Sequence, residues 1–503
     1  SASVTAIAVS AVSELRADNY AFQATYKTEY WNSVLKGLRV NEDGQFTNPD
    51  GTGASDSSAD IIPVWEASDV MHRMYLMANH SDYIGVKKRR IYTWTGSQGM
   101  RFGSDSMTRP ASSSTSFAEF DNLPLAIRND ISMRAGNNWQ ERYDLMMFLM
   151  GDASNEVAYP SAAPAEKYRR RGIFLDSDND NAIDTVLSGG LLGDITHSSP
   201  MYVREPPRPW NDIHFGKPGQ RYSDFRTQLA DRQAMVYVGA NDGMLHAFTV
   251  EAGSRDGINY PAGGELFAYI PSMLASTASK SGLRYLANRN YEHRYYVDLT
   301  PTVSDVFMDF YSTSAPMAPE WRTILVGGLR GGGKGLFALD ITCPYQTTAT
   351  GSTCDDEQFT EQNVLWEFSG ADDPDLGLTF AEPIIAKVNF SAGLSEADER
   401  NGNGTGRWAV IVSNGYNSAS GRAALFILFL DGGLDGSWVN GRDYLKLFAG
   451  NATDDTPTDK NGLSSPTAID ITGDGLIDRV YAGDLKGQMW VFDLNRSLSL
   501  EEI

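Results

Sequence analysis

Cysteine is nearly absent from this chain of 503 residues: Cys343 and Cys354 are its only two. A fold held mainly by disulfides is therefore excluded, and its core has to come from apolar packing. Basic residues are also short, 42 Lys and Arg against 64 Asp and Glu, for a net charge of −22. A nucleic-acid binder needs a basic stripe to displace counterions from phosphate, so that class is set aside. Long hydrophobic runs are missing as well. No stretch approaches the roughly 18 apolar residues of a membrane-crossing helix. The opening SASVTAIAVSAVSEL has no basic lead and does not read as a signal peptide; the expectation is a chain cut from a longer precursor. The six histidines, His72, His80, His197, His214, His246 and His293, form no HExxH and show no close metal-ligand spacing. His246, in the strand phrase LHAF, reads as a packed or satisfied sheet residue.

What is present is organised around one acidic stretch, NGLSSPTAIDITGDGLIDRVYAGDLKGQMWVFDL, running from Asn461 to Leu494. Asp470, Thr472, Asp474 and Asp478 stand at loop positions 1, 3, 5 and 9, with Gly475 at position 6. Alternate side-chain oxygens, together with the carbonyl of Leu476 at position 7, are what a hard cation such as calcium requires. Glycine at position 6 allows the sharp turn because it reaches positive φ without a Cβ clash. The bidentate Glu of an EF-hand at position 12 is replaced by Asp at 9, and the flanks are β-like, so a helix-loop-helix is not implied. A second acidic loop, LDSDNDNAIDTV, puts Asp176, Asp178, Asp180 and Asp184 at the same four positions, with Asn181 at the turn and the Ala182 carbonyl available. Four carboxylates this close repel one another unless a cation joins them. Calcium is the expected cofactor of both loops; the alternatives are an acidic β-turn without metal for the first and a disordered acidic loop for the second.

The phrase after the first loop, RVYAGDLKGQMWVFDL, reads strand, turn, strand. It recurs as MVYVGANDGMLHAFTV from Met235, as ILVGGLRGGGKGLFALDI from Ile324, and more loosely as WAVIVSNGYNSASGRAALFILFL from Trp408. A hairpin repeated at intervals cannot bury both faces alone. Radial stacking of small antiparallel sheets does so, and the expectation is an all-β, modified β-propeller over residues 1–503. Residues 17–96 read as a divergent blade. It has a hairpin at Tyr20–Val40 broken near Lys36–Gly37, short strands at Ile61–Trp65 and Arg90–Trp94, and a solvated basic rim at Lys87–Arg90. Residues 97–160 read as a helical insertion or cap, with Trp139, Tyr143, Met146, Met147 and Met150 on one broad face. Pro206–Gly219 is Pro-rich and reads as a surface loop.

Two further signals bear on chemistry. Gly328 to Lys334 fits GxxxxGK, but Gly335 follows where Ser or Thr should hold magnesium, and the loop joins two strands instead of opening a helix. A glycine-rich hairpin turn is the reading. Cys343 and Cys354 flank the polar loop PYQTTATGST. A disulfide there would close a short loop, contribute about 3 kcal/mol or less, and imply an oxidising compartment; two free thiols are the alternative.

Taken together, LMGDASNE, LLGDITHSSPMYV, VYVGANDGMLHAF, ELFAYIPSML, YYVDLTPTVSDV, TILVGGLRGGGKGLFALDIT, VLWEFS, NGYNSASGRAALF and the calcium-loop stretch resemble the C-terminal domain of the PilY/PilC family of type IV pilus biogenesis factors and tip-associated adhesins. The resemblance covers residues 140–494, with a weaker echo from residue 20, and does not take in the family's N-terminal half. It implies a modified β-propeller of about seven blades, residues 461–494 being the calcium-loop blade, with calcium on Asp470, Thr472, Asp474, Leu476 and Asp478. Thr472 departs from the Asp or Asn usual at its position, and a hydroxyl is a weaker ligand. The Asp176 loop is not a family feature and rests on its own spacing. The resemblance further implies a non-enzymatic protein at the cell surface, pilus or outer membrane, with pilin or minor pilins and a host surface ligand as partners. Its implied role is to regulate pilus extension against retraction and to support attachment and twitching. VYVGANDGMLHAF also resembles quinoprotein dehydrogenases, propellers with a calcium-assisted quinone. Those carry adjacent cysteines, which this chain lacks, and they stand as the alternative.

Overall fold

The computed structural model describes residues 6–9, 19–58, 61–156, 168–175, 185–188, 190–206, 210, 212, 220–313, 318–344, 354, 358–390, 400, 406–451 and 455–495. The chain divides into two compact units. The first comprises residues 1–95, 100–203 and 233–298; the second comprises 96–99, 204–232 and 299–503.

In the first unit the long hairpin Asn19–Lys27 and Asn32–Val40 is flanked by Ala6–Val9, Phe46–Thr47 and Trp65–Glu66. The expected break at Lys36–Gly37 is absent. Pairing runs unbroken from Asn19↔Val40 to Lys27↔Asn32, and the turn lies beyond it. Gly37 has a different role: a Cβ there would meet the Trp65 indole at 2.3 Å, so the ring packs directly on bare backbone. The expected strand Ile61–Trp65 shrinks to Trp65–Glu66 and passes into a helix, Ala67–Tyr75. Its apolar positions Ala67, Val70, Met71 and Met74 fall one helical turn apart and are buried.

A six-stranded sheet follows, in the order Met201–Val203, Met235–Ala240, Met244–Thr249, Glu265–Ile270, Ile91–Trp94, Gly99–Arg101. Its central strands are buried at every residue, which is why they read as continuous apolar runs instead of alternating ones. The basic run Lys87–Arg90 is not a uniform solvated rim. Arg89 is 1% exposed and carries the sheet's central ion pair.

The expected helical segment contains helices at Ala118–Asp121, Leu125–Ala135 and Trp139–Met150. Asn138 caps the last, accepting from the Gln140 and Glu141 amides. This helix buries more than one face. Every residue from Arg142 to Met150 is buried, because Asp144 is paired with Arg109 and Arg142 donates to the Gly136 carbonyl.

The second unit holds a four-stranded antiparallel sheet, Thr302–Met308, Glu320–Gly328, Gly335–Asp340, Val364–Ser369. A five-stranded sheet runs Tyr444–Phe448, Ala424–Phe429, Arg407–Ser413, Ile384–Val388, Leu476–Ile477. A three-stranded sheet is formed by Thr467–Ile469, Arg479–Gly483 and Met489–Asp493. All four predicted hairpins are present. Two share a detail: the second strand of each bulges at equivalent places, Ala247/Phe248 and Ala338/Leu339. The glycine-rich run Arg330–Gly332 is a short 3₁₀ turn between two strands, so no helix offers its N-terminus to a phosphate there. Cys343 and Cys354 form a disulfide, with Cα atoms 5.3 Å apart. Most of Pro206–Gly219 lies outside the described residues.

Candidate metal centre

The loop from Asp470 to Asp478 connects two sheets of the second unit. It leaves the three-stranded sheet at Ile469. It then runs along the five-stranded sheet, where Leu476 and Ile477 pair in parallel with Lys387 and Val388, and it returns at Arg479. Sequence reasoning missed this parallel bridge, since two residues carry no period. Gly406 makes the bridge possible: at φ 82° its missing Cβ would lie 2.6 Å from Leu476 Cδ2 and from the Val388 carbonyl oxygen.

Within the loop, backbone amides turn inward onto carboxylates. Asp470 accepts from the amides of Gly473 at 2.6 Å and Gly475 at 2.8 Å. Asp474 accepts from Leu476 at 3.0 Å. Asp478, only 4% exposed, accepts on Oδ2 from Ile471 at 2.6 Å and Thr472 at 2.9 Å. Gly473 and Gly475 sit at φ 74° and 87°, the left-handed values the curl needs. Among the described residues no hydrogen bond reaches Oδ1 of Asp478 or Oδ2 of Asp474. The donor types, three carboxylates, the Thr472 hydroxyl and the Leu476 carbonyl, suit a hard cation. Their convergence does not yet: among the described residues, no three His, Cys, Asp or Glu groups gather as a metal site. Only the donor types fit calcium; the carboxylates would have to swing inward to complete a shell. The second loop, with Asp176, Asp178, Asp180, Ala182 and Asp184, lies outside the described residues.

His246 is a satisfied core residue. It is fully buried, with Nδ1 2.6 Å from Glu265 and Nε2 3.1 Å from Asp242. Burial alone would lower its pKa; the Asp242 and Glu265 carboxylates instead hold it up to about 9. Burial would raise Glu265, but Arg89, bonded to both its oxygens, holds it down to about 2. The arrangement is a closed chain of alternating charges inside a sheet, with the charges facing one another and not a cleft.

Three phrases read separately in the sequence meet at one place in the first unit. Asp194 and Thr196 come from LLGDITHSSPMYV, Asn241 from VYVGANDGMLHAF, and Asp298 from YYVDLTPTVSDV. Asn241 donates to Asp194 at 2.8 Å and accepts from the Tyr296 amide at 2.9 Å. His293 contacts Asp194 at 2.8 Å, and His197 contacts Asp298 at 2.7 Å. Sequence reasoning missed this cluster. The signal was there as polar residues embedded in otherwise apolar strand phrases.

The family model for the PilY1 beta-propeller domain matches residues 192–501. This chain belongs to that family. The match takes in the Asp470 loop and the four repeated hairpins, and it makes the fold a β-propeller of the PilY1 type. Among curated relatives, a type IV pilus biogenesis factor PilY1 of Pseudomonas aeruginosa is 34% identical over 314 residues, 60% of this chain and 21% of the relative. A PilY1 homolog of Xylella fastidiosa is 34% identical over 356 residues, 70% of this chain and 19% of that one. This chain thus spans about a fifth of the length of these relatives. The crystal structure of the Pseudomonas aeruginosa PilY1 C-terminal domain shares 33% identity, over 58% of this chain and 45% of that one, with a TM-score of 0.38.

Proposed function

We propose that this PilY1-family propeller is a calcium-responsive part of a type IV pilus biogenesis factor, acting in the pilus machinery and at the cell surface without a catalytic step. The carrying observation is the Asp470–Asp478 loop, a nine-residue acidic curl inside the family domain that joins two sheets. Support for the pilus role comes from the relatives, which are named type IV pilus biogenesis factors. The disulfide supports an oxidising, extracytoplasmic compartment. Among the described residues no helix is long and apolar enough to cross a membrane.

Asp470, Thr472, Asp474, Asp478 and the Leu476 carbonyl would hold the ion. When bound, it would supply the positive charge that offsets repulsion among the three carboxylates. Asp478 fixes the loop's start through two amides, and Leu476–Ile477 ties its end to the neighbouring sheet. The occupied loop would therefore set how the two sheets present their outer residues to pilin, minor pilins or a host ligand. Control of extension against retraction, attachment and twitching would follow from that surface. In a cell that depends on the protein, Asp478→Ala should impair piliation and twitching at unchanged protein level. Normal twitching with the variant would remove the loop from the function.

A further inference from the structure

Four rings form a ladder in the first unit: Trp31, His293, Tyr295 and His197. Trp31 lies over His293 with ring centroids 3.9 Å apart. His293 meets Tyr295 edge-on at 5.1 Å, and Tyr295 meets His197 at 5.2 Å. The ladder reaches solvent: Tyr295 is 39% exposed, the His197 side chain 36%, and Trp31 is half-buried. Both imidazoles are held from behind. Buried Asp194 takes one nitrogen of His293, and buried Asp298 takes Nδ1 of His197. The carboxylates set the tautomer and fix the ring orientations. Asp194 is itself pinned by Thr196 and Asn241.

Trp31 adds a second, independent sign. Its φ is 54°, a left-handed value that bulky residues avoid because Cβ crowds the following carbonyl. Glycine would take this position without strain. The tryptophan there covers the His293 ring and still keeps part of its surface in solvent. Strain of this kind concentrates at ligand clamps.

We propose that this ladder is a binding site for a neutral carbohydrate ring. A pyranose presents C–H groups on one face and hydroxyls around its edge. The C–H face suits the electron-rich faces of Trp31 and Tyr295. The hydroxyls suit the outer nitrogen Nδ1 of His293, which accepts a hydrogen bond because Nε2 donates to Asp194. Two carboxylates directly behind the imidazoles argue against an anionic ligand, and the net charge of −22 argues against a polyanion. The ladder shares no residue with the Asp470 loop, so the two readings fail separately.

The test is an array of neutral, N-acetylated and sialylated oligosaccharides probed with the whole chain in excess chelator, followed by calorimetric titration of the best neutral glycan. Saturable binding to a neutral glycan is expected without calcium. Trp31→Gly should weaken it roughly tenfold, the loss of one stacked ring. His197→Gln, which keeps an N–H for Asp298, should weaken it several-fold. Should Trp31→Gly fail to fold, Tyr295→Leu reads the same stacking loss. Absence of saturable neutral-glycan binding, binding only to sialylated glycans, or unaltered affinity in the ring variants would overturn the proposal.

Discussion

Raising the pH through the titration of His246 perturbs the most deeply buried charges of the first unit. The imidazolium sits between Asp242 and Glu265 and is held up to about 9, against an ordinary value near 6.5. The folded pKa lies above the unfolded one, so the native state binds the extra proton and is stabilised by it. That stabilisation is complete below about 6.5 and is lost as pH rises through about 9. A shift of this size corresponds to about 3 kcal/mol, since each pKa unit is worth about 1.4 kcal/mol. Above that range Asp242 keeps the Gly193 and Met244 amides, and Glu265 keeps Arg89, so the network should weaken without collapsing. Urea unfolding across pH 6 to 10, in wild type and His246→Gln, measures the effect. The wild type should lose about 3 kcal/mol relative to the variant over this range, because tyrosine and lysine titrations are common to both. Parallel curves would show that His246 is neutral at its site and that the charge chain described here is wrong.

Three further outcomes are expected. Cys343 and Cys354 should resist a thiol reagent in the native protein, and reduction should cost roughly 2–3 kcal/mol, the range for a short closed loop; reactivity before reduction would refute the pairing. Gly406→Ala should destabilise the second unit by roughly 1–3 kcal/mol, from positive φ and contact with Leu476. It should also speed hydrogen exchange at Leu476 and Ile477, and unchanged exchange there would deny that the bridge anchors the loop. Added quinone should give no bound chromophore and no dye-linked alcohol oxidation; stoichiometric uptake with turnover would replace the pilus reading with an enzyme.

The repeated hairpins were legible because each pairs two apolar runs across one local connection, a signal confined to 16 to 23 residues. The loop at Asp470 was legible for the same reason: its spacing is local. What escaped was long-range. Arg89 looks like part of a basic rim until Glu265, far along the chain, supplies its partner. Arg142 and Asp144 are charged residues outside the apolar face expected for their helix, and they are buried because Arg109 and the Gly136 carbonyl satisfy them inside. Lys36–Gly37 looks like a break, since glycine weakens strands, until Trp65 fills the space over it. The Asp194–His293 and Asp298–His197 pairs join positions about a hundred residues apart, and no periodicity reports them.

The most direct test of the central claim is a calcium titration of the thermal midpoint for wild type, Asp478→Ala, Asp184→Ala and the double variant, each stripped of metal first. In the proposed site Asp478 would supply one or two oxygens from position 9, so Asp478→Ala should remove them; it also frees the Ile471 and Thr472 amides, a change confined to the loop, while the packed sheets keep the metal-free fold. Wild type should gain about 2.7 kcal/mol at a hundredfold excess over the dissociation constant. Asp478→Ala should lose most of that gain, and the double variant all of it if both loops bind. A calcium-dependent shift in Asp478→Ala equal to that of wild type would make the Asp470 loop an acidic turn and contradict the account.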